Sequence, residues 1–160
     1  MGDSCGAHLA ALTALAYDPA PFANASTSDP YASINLRVKA VVGAYCFARP
    51  RDQIVEKFLG KPPMEDRKLY FESSPISYAT RPNNQTSFFL AWGTAGDIAD
   101  PATQSEAFML ALKQAGFFVR PATTAAAPHF WMADPIDEPR GHVGVGFVAP
   151  RIARFLTDRL

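Results

Sequence analysis

The stretch Gly2-Asp3-Ser4-Cys5-Gly6, at the start of the chain, has the pattern G-x-S-x-G. This pattern is typical of a sharp turn from a strand into a helix that raises a serine hydroxyl above a sheet. We expect glycine at both ends because a side chain at Gly2 or Gly6 would collide in so tight a turn. A helix that begins here would place the Cys5 backbone N–H where an oxyanion forms. The alternative role for Ser4 is that of a helix N-cap.

The composition indicates one globular domain. The chain has 160 residues, 48% of them apolar, and 15 basic residues balance 15 acidic ones. This balance gives no reason to expect nucleic acid or an anionic membrane as a partner. The N-terminus lacks the basic and apolar regions of a secretory signal, and no apolar run approaches the roughly 20 residues of a membrane helix, so we expect a cytoplasmic protein. Cys5 and Cys46 are too few for a disulfide framework and are expected to be reduced and buried.

Helices and strands alternate along the rest of the chain. The helix after the pentapeptide is apolar nearly all round, which is typical of a helix buried against a sheet. The alternation predicts an α/β fold with a parallel sheet. The expected elements, in chain order, are a helix at 6–17, a loop at 18–34, a strand at 36–45, a short helix at 53–59, a strand at 86–92, a helix from Asp100-Pro101 to Gly116, a strand at 117–121 and a helix over 148–160 with three arginines outside its apolar stripe.

A serine nucleophile needs a base to take its proton, and three histidines are available. His8 lies one turn into the first helix, too close in sequence to Ser4. Loops at the carboxyl ends of parallel strands are where α/β sheets place their chemistry, which favours His129 over His142. The alternative role of His129 is a solvated loop histidine packed beside Phe130 and Trp131.

The base must itself be held by a third group, and an aspartate in the preceding loop is the expected one. Asp97 ends the segment Gly93-Thr94-Ala95-Gly96-Asp97, which directly follows the strand at 86–92. Its rival is Asp100, in the same loop. Because Pro101 follows and a helix begins there, we interpret Asp100 as the helix cap and Asp97 as the acid.

Three segments together resemble a known family. Residues 2–10 resemble the G-[DH]-S-A-G-[GA]-H-L-A motif of small esterases in the α/β-hydrolase superfamily, namely the acetyl-esterase/lipase-like group related to hormone-sensitive lipase, and of the kynurenine formamidases. Residues 92–97 look like their acid turn, and residues 128–131 look like their histidine loop. The resemblance implies Ser4 as nucleophile, Asp97 as orienting acid and His129 as base.

The resemblance covers the whole chain but only the C-terminal half of the family's fold. It implies a partial α/β-hydrolase fold, with residues 1–160 forming a single incomplete domain whose sheet runs from the serine turn onward and whose N-terminal strands are missing. Segment 47–72 is where a family member would build part of its cap. The missing half would hold the strand that enters the serine turn and further oxyanion donors, and its absence would leave a sheet edge and one face of the first helix bare.

The activity implied by the resemblance is that of a serine carboxylesterase, which cleaves small acyl esters through an acyl-enzyme. An N-aryl formamide is the alternative substrate. This chemistry needs no organic cofactor or metal, and no Cys/His cluster has zinc-ligand spacing. The hypothesis from a different class of function is that the chain is an inactive fragment or an interaction remnant. A third reading joins the two, with a second chain or a second copy of this one completing the sheet.

Overall fold

The computed structural model describes residues 1–16, 30, 37–44, 53–96, 98–129, 131 and 144–160. Its sheet has four strands, which lie side by side in chain order and are parallel throughout. The predicted α/β fold with a parallel sheet is therefore confirmed. The strands are β1 (Gly2–Asp3), β2 (Ala40–Ala44), β3 (Ser87–Gly93) and β4 (Val119–Thr124).

Five α-helices accompany the sheet in the described part of the chain. They are α1 (Ser4–Leu15), α2 (Gln53–Leu59), α3 (Arg67–Glu72), α4 (Ala107–Gln114) and α5 (Ala149–Arg159). Wider π-helical turns at Ala102–Glu106 and Gly144–Val148 precede α4 and α5. Single 3₁₀ turns lie at Pro75–Tyr78 and Arg81–Asn83. Among the described residues, no helix combines the length and apolar character required to cross a membrane.

The core lies on both faces of β3, whose successive side chains point to opposite sides of the sheet. Phe88 packs edge-on against Phe108 of α4, with ring centroids 5.8 Å apart. Its neighbour Phe89 points to the other face and meets Phe155 of α5 at 5.6 Å. Helices therefore cover both faces of β3, as its continuous apolar run predicts.

The observed β4 differs from its prediction at both ends. A strand was expected at 117–121, but it begins at Val119 and continues through Pro121 to Thr124. A proline has no N–H to donate, so it is tolerated in a strand that has a neighbour on one side only. β4 pairs with β3 and is the last strand in the order, which explains why Pro121 does not end it.

The first helix is buried on one face and exposed on the other. The side chain of Leu9 is 55% exposed, and Cys5 is exposed with a free thiol. The prediction that Cys5 is buried is therefore wrong, whereas the exposed Leu9 agrees with the expectation that one face of this helix would be bare. Cys46 lies outside the described residues. Because β1 is a two-residue edge strand, no strand in the described part of the chain covers the side of α1 that projects beyond it.

Candidate active site

Ser4 lies at the junction of β1 and α1. Gly2 and Asp3 pair with Gly43 and Ala44 of β2, so a short strand within the motif itself leads into the turn. The backbone of Ser4 has φ of 45°, a left-handed conformation that is uncommon outside glycine. Such strain persists only where the surrounding structure enforces it, and it is concentrated at functional sites. The prediction of a strand-to-helix turn at Ser4 is confirmed. The expectation that the strand entering this turn is missing is wrong, because Gly2 and Asp3 form a two-residue strand on β2.

The two glycines of the motif are not equivalent. A Cβ on Gly2 would overlap the carbonyl group of Gly6 and lie 2.8 Å from the backbone nitrogen of Ala7, so only glycine fits. Among the described residues, a Cβ on Gly6 would meet only a side-chain oxygen of Asp3, at 3.9 Å. The expected collision at Gly6 is therefore wrong. The first turn of α1 folds back over residue 2 and leaves residue 6 facing open space.

The hydroxyl of Ser4 is hydrogen-bonded to His129, with Ser4 Oγ and His129 Nε2 3.0 Å apart. His129 is 6% exposed, so the alternative of a solvated loop histidine is wrong. The N-cap position of α1 is held by Asp3, which makes no side-chain capping bond, so Ser4 is not the N-cap. The pairing of serine and imidazole is the geometry in which a base can remove a hydroxyl proton.

The imidazole reaches Ser4 because its loop crosses the end of β3. Ser4 follows β1 and His129 follows β4, and these strands are three strand spacings apart, about 14 Å. The chain bridges this gap by passing over Gly93, the last residue of β3. A Cβ on Gly93 would overlap the carbonyl of Ala127 and lie 2.9 Å from the carbonyl oxygen of Pro128. Gly93 is therefore a residue of the site that the sequence pattern did not single out.

Hydrogen bonds join the loop that follows β3 to the loop that carries His129. The backbone N–H of Thr94 donates to the carbonyl of Thr124 at 3.1 Å, and that of Ala95 donates to Ala127 at 3.0 Å. In the reverse direction, the N–H of Ala126 donates to Thr94 Oγ1 at 2.9 Å. The loop with the histidine is thus fixed to the loop in which the acid was expected.

The structure assigns a role to one of the two candidate aspartates. Asp100 Oδ1 accepts a hydrogen bond from the backbone N–H of Ala102 at 3.1 Å, so its carboxylate caps the start of the helical segment, as predicted. Asp97 lies outside the described residues, as does His142. The described neighbours of Asp97, up to Gly96, belong to the loop that is bonded to the histidine loop.

The geometry defines a partial α/β-hydrolase fold with a serine–histidine pair at the carboxyl ends of its strands. A comparison of the sequence with family models matches the BD-FAE family over residues 1–112. The chain therefore belongs to the BD-FAE family. Comparison with curated proteins gives no significant match.

Solved structures with a similar fold include esterase 2 of Thermogutta terrifontis. The match to its phosphoramylated form has a TM-score of 0.74 at 18% sequence identity and covers 98% of this chain but 53% of the esterase. The butyrate-bound form gives a TM-score of 0.71 at 18% identity, and the match covers 98% of this chain and 54% of the esterase. The propionate-bound form gives 0.72 at 19% identity, with the same coverage. This chain spans about half the length of these structures, and the similarity confirms the predicted partial fold.

Proposed function

We propose that this chain carries the nucleophile and base of a serine carboxylesterase acting on short acyl esters. The observation that supports the proposal most strongly is the 3.0 Å hydrogen bond between Ser4 Oγ and His129 Nε2, two residues 125 positions apart. The left-handed backbone of Ser4 and the passage of the histidine loop across the end of β3 together place these two side chains within hydrogen-bonding distance. The BD-FAE membership and the esterase-like fold agree with it.

In the proposed reaction Ser4 Oγ attacks the ester carbonyl carbon while His129 Nε2 takes its proton. The backbone N–H of Cys5, at the start of α1, donates to the oxyanion of the tetrahedral intermediate. The carbon–oxygen bond to the alcohol then breaks, and the imidazolium protonates the departing oxygen. Water, deprotonated by the same imidazole, attacks the acyl-enzyme and releases the carboxylic acid with Ser4 restored. Asp97 is proposed to orient the imidazole throughout.

The acyl group is proposed to be short. The Thermogutta esterase has been solved with butyrate and with propionate bound. These bound acids guide the choice of substrate for the present chain, so acyl groups of two to four carbons are the first to test. An N-aryl formamide remains the alternative substrate, because the same pair of residues would attack a formyl carbon equally well.

The test compares p-nitrophenyl acetate, propionate and butyrate with formanilide as substrates for the wild type, Ser4→Ala, His129→Gln and the control His8→Gln. Removal of the nucleophile or the base should lower kcat on the best ester by about 10⁴-fold or more. His8→Gln should retain the wild-type rate. Equal rates for the wild type and Ser4→Ala would overturn the proposal, and a faster rate with formanilide would favour the amide substrate.

A label that needs no turnover gives an independent readout. Phenylmethylsulfonyl fluoride transfers its sulfonyl group to an activated serine oxygen and releases fluoride. Peptide mass spectrometry should then find the added group on Ser4 in the wild type, and find the peptide unmodified in His129→Gln. Labelling that persists without the imidazole would show that His129 does not activate Ser4.

We also propose that full activity requires further polypeptide packed beside β1. This edge strand pairs over only two residues, and the apolar residues Met1, directly before it, and Leu9, in α1, are 88% and 55% exposed. The chain also spans only about half of the esterase it matches. We favour a segment that adds a strand and the remaining oxyanion donors over a second copy of the chain. Size-exclusion chromatography with light scattering tests this, because a fully active monomer would contradict the proposal and an active dimer would point to the second copy.

A further inference from the structure

The structure assigns Thr94 a positioning role: we propose that its hydroxyl holds the loop of His129 in the place from which the imidazole reaches Ser4. The inference rests on the proposed function for its effect on rate. Its structural part, the placing of the imidazole, stands by itself. Thr94 follows β3 directly and is exposed, so it is not a core residue.

The first step is the hydrogen bond that Thr94 makes across the two loops. Its Oγ1 accepts from the backbone N–H of Ala126 at 2.9 Å. Ala126 is three residues before His129, so a shift of this peptide group moves the chain that carries the imidazole. The proton acceptor of the proposed reaction therefore depends on a side chain from the neighbouring loop.

The second step is the conformation of Ala126 itself. Its φ is 54°, in the left-handed region that favours glycine and penalises a Cβ. Ala126 is the third residue of a turn closed by the Ala127 N–H and the carbonyl of Thr124, a position that ordinarily selects glycine. The hydrogen bond that the Ala126 N–H donates to Thr94 is a contact from outside the turn that stabilises an alanine in this conformation.

The third step is that close contacts restrict the position of the loop on both sides of His129. Residues 127 and 128 pass so close to Gly93 that no Cβ fits there, and Ala127 is 4% exposed. Beyond His129, the backbone N–H of Trp131 donates to the carbonyl of His129 at 3.1 Å, and the Trp131 side chain is fully buried. The imidazole is thus held between a buried anchor after it and the Thr94–Ala126 bond before it.

The experiment uses Thr94→Val, which keeps the shape and removes the hydroxyl, with Thr94→Ser as the matched control that restores it. Each is measured for kcat and KM on p-nitrophenyl acetate, and for the imidazole ¹⁵N resonances of His129, assigned by their loss in His129→Gln. Thr94→Val should lower kcat about 10- to 100-fold with KM within about twofold, and should shift the His129 resonances. Thr94→Ser should match the wild type in both readouts within about threefold in kcat.

A second variant tests the strain argument. Adding Ala126→Gly to Thr94→Val removes the Cβ that disfavours the left-handed conformation, so part of the lost kcat should return. If Thr94→Val lowers only the thermal midpoint and leaves the His129 resonances as in the wild type, the role is merely structural and the proposal is overturned. If the wild type has no esterase activity, the proposed function fails, and the His129 resonances still decide the role of Thr94.

Discussion

The carbonyl group of Ala127 occupies the space in which a Cβ on Gly93 would lie. The histidine loop therefore crosses the end of β3 at the one residue type that leaves room for it. Ser4 and His129 follow strands at opposite edges of the described sheet, so their hydrogen bond depends on this crossing.

Gly93→Ala should displace the histidine loop and lower kcat by about 10²-fold or more, because a misplacement of about 1 Å is enough for such a loss. The control is Gly43→Ala in β2, where the added Cβ would meet Ala7 and Leu90 side chains at 3.5 Å, an ordinary contact. Steady-state kinetics on a short p-nitrophenyl ester measure both. Similar rates for the two variants would show that the crossing over Gly93 does not position His129.

The two glycines of the serine turn should respond in opposite ways. Gly2→Ala places a methyl group against the Gly6 carbonyl and should abolish the turn, with loss of activity and of stability. Gly6→Ala puts a methyl group into open space within α1, where alanine is favoured over glycine by roughly 1 kcal/mol. Urea unfolding should therefore give Gly6→Ala a free energy of unfolding at or above that of the wild type. A destabilised Gly6→Ala would mean that residue 6 has a steric role that the structure does not contain.

Local signals in the sequence predicted the parts of the molecule that depend on neighbours in the chain. The G-x-S-x-G turn, the cap at Asp100 and the helix end at Gly116, whose φ is 89°, each follow from a few adjacent residues. Parallel strands bring their carboxyl ends to one edge, which is why a histidine after the last strand was favoured as the partner of the serine.

What the sequence did not predict depends on contacts between distant segments. Gly93 and Thr94 act on a loop about 30 residues later, and no local pattern encodes that approach. The strand predicted at 117–121 continues to Thr124, because among the described strands β4 has a neighbour on one side only and the missing N–H of Pro121 is tolerated there. The exposure of Cys5 follows from the short edge strand beneath α1, which is a property of the whole sheet.

The packing of α5 provides a test of the core that is separate from the site. Phe155 is fully buried, with its ring 5.6 Å from that of Phe89 and 6.4 Å from that of Phe118. Phe155→Ala should lower the free energy of unfolding by about 3–5 kcal/mol, because it removes these contacts and leaves a cavity. Phe58→Ala is the control, since that side chain is 80% exposed and its loss should change stability by no more than about 0.5 kcal/mol. Comparable losses in the two variants would contradict the packing of α5 on the sheet.

The assignment of the acid leads to the last prediction, a comparison of Asp97→Asn with Asp100→Asn. Asparagine at position 100 can still accept the hydrogen bond from the Ala102 N–H, so the cap and the rate should both be kept. Asparagine at position 97 would remove the proposed carboxylate that holds the tautomer of His129, a change that costs about 10⁴-fold in kcat where an aspartate orients a catalytic histidine. Both variants should fold, as judged by circular dichroism, so their kinetics on a short p-nitrophenyl ester separate the roles. A large loss in Asp100→Asn with a normal rate in Asp97→Asn would move the acid to position 100 and reverse the assignment.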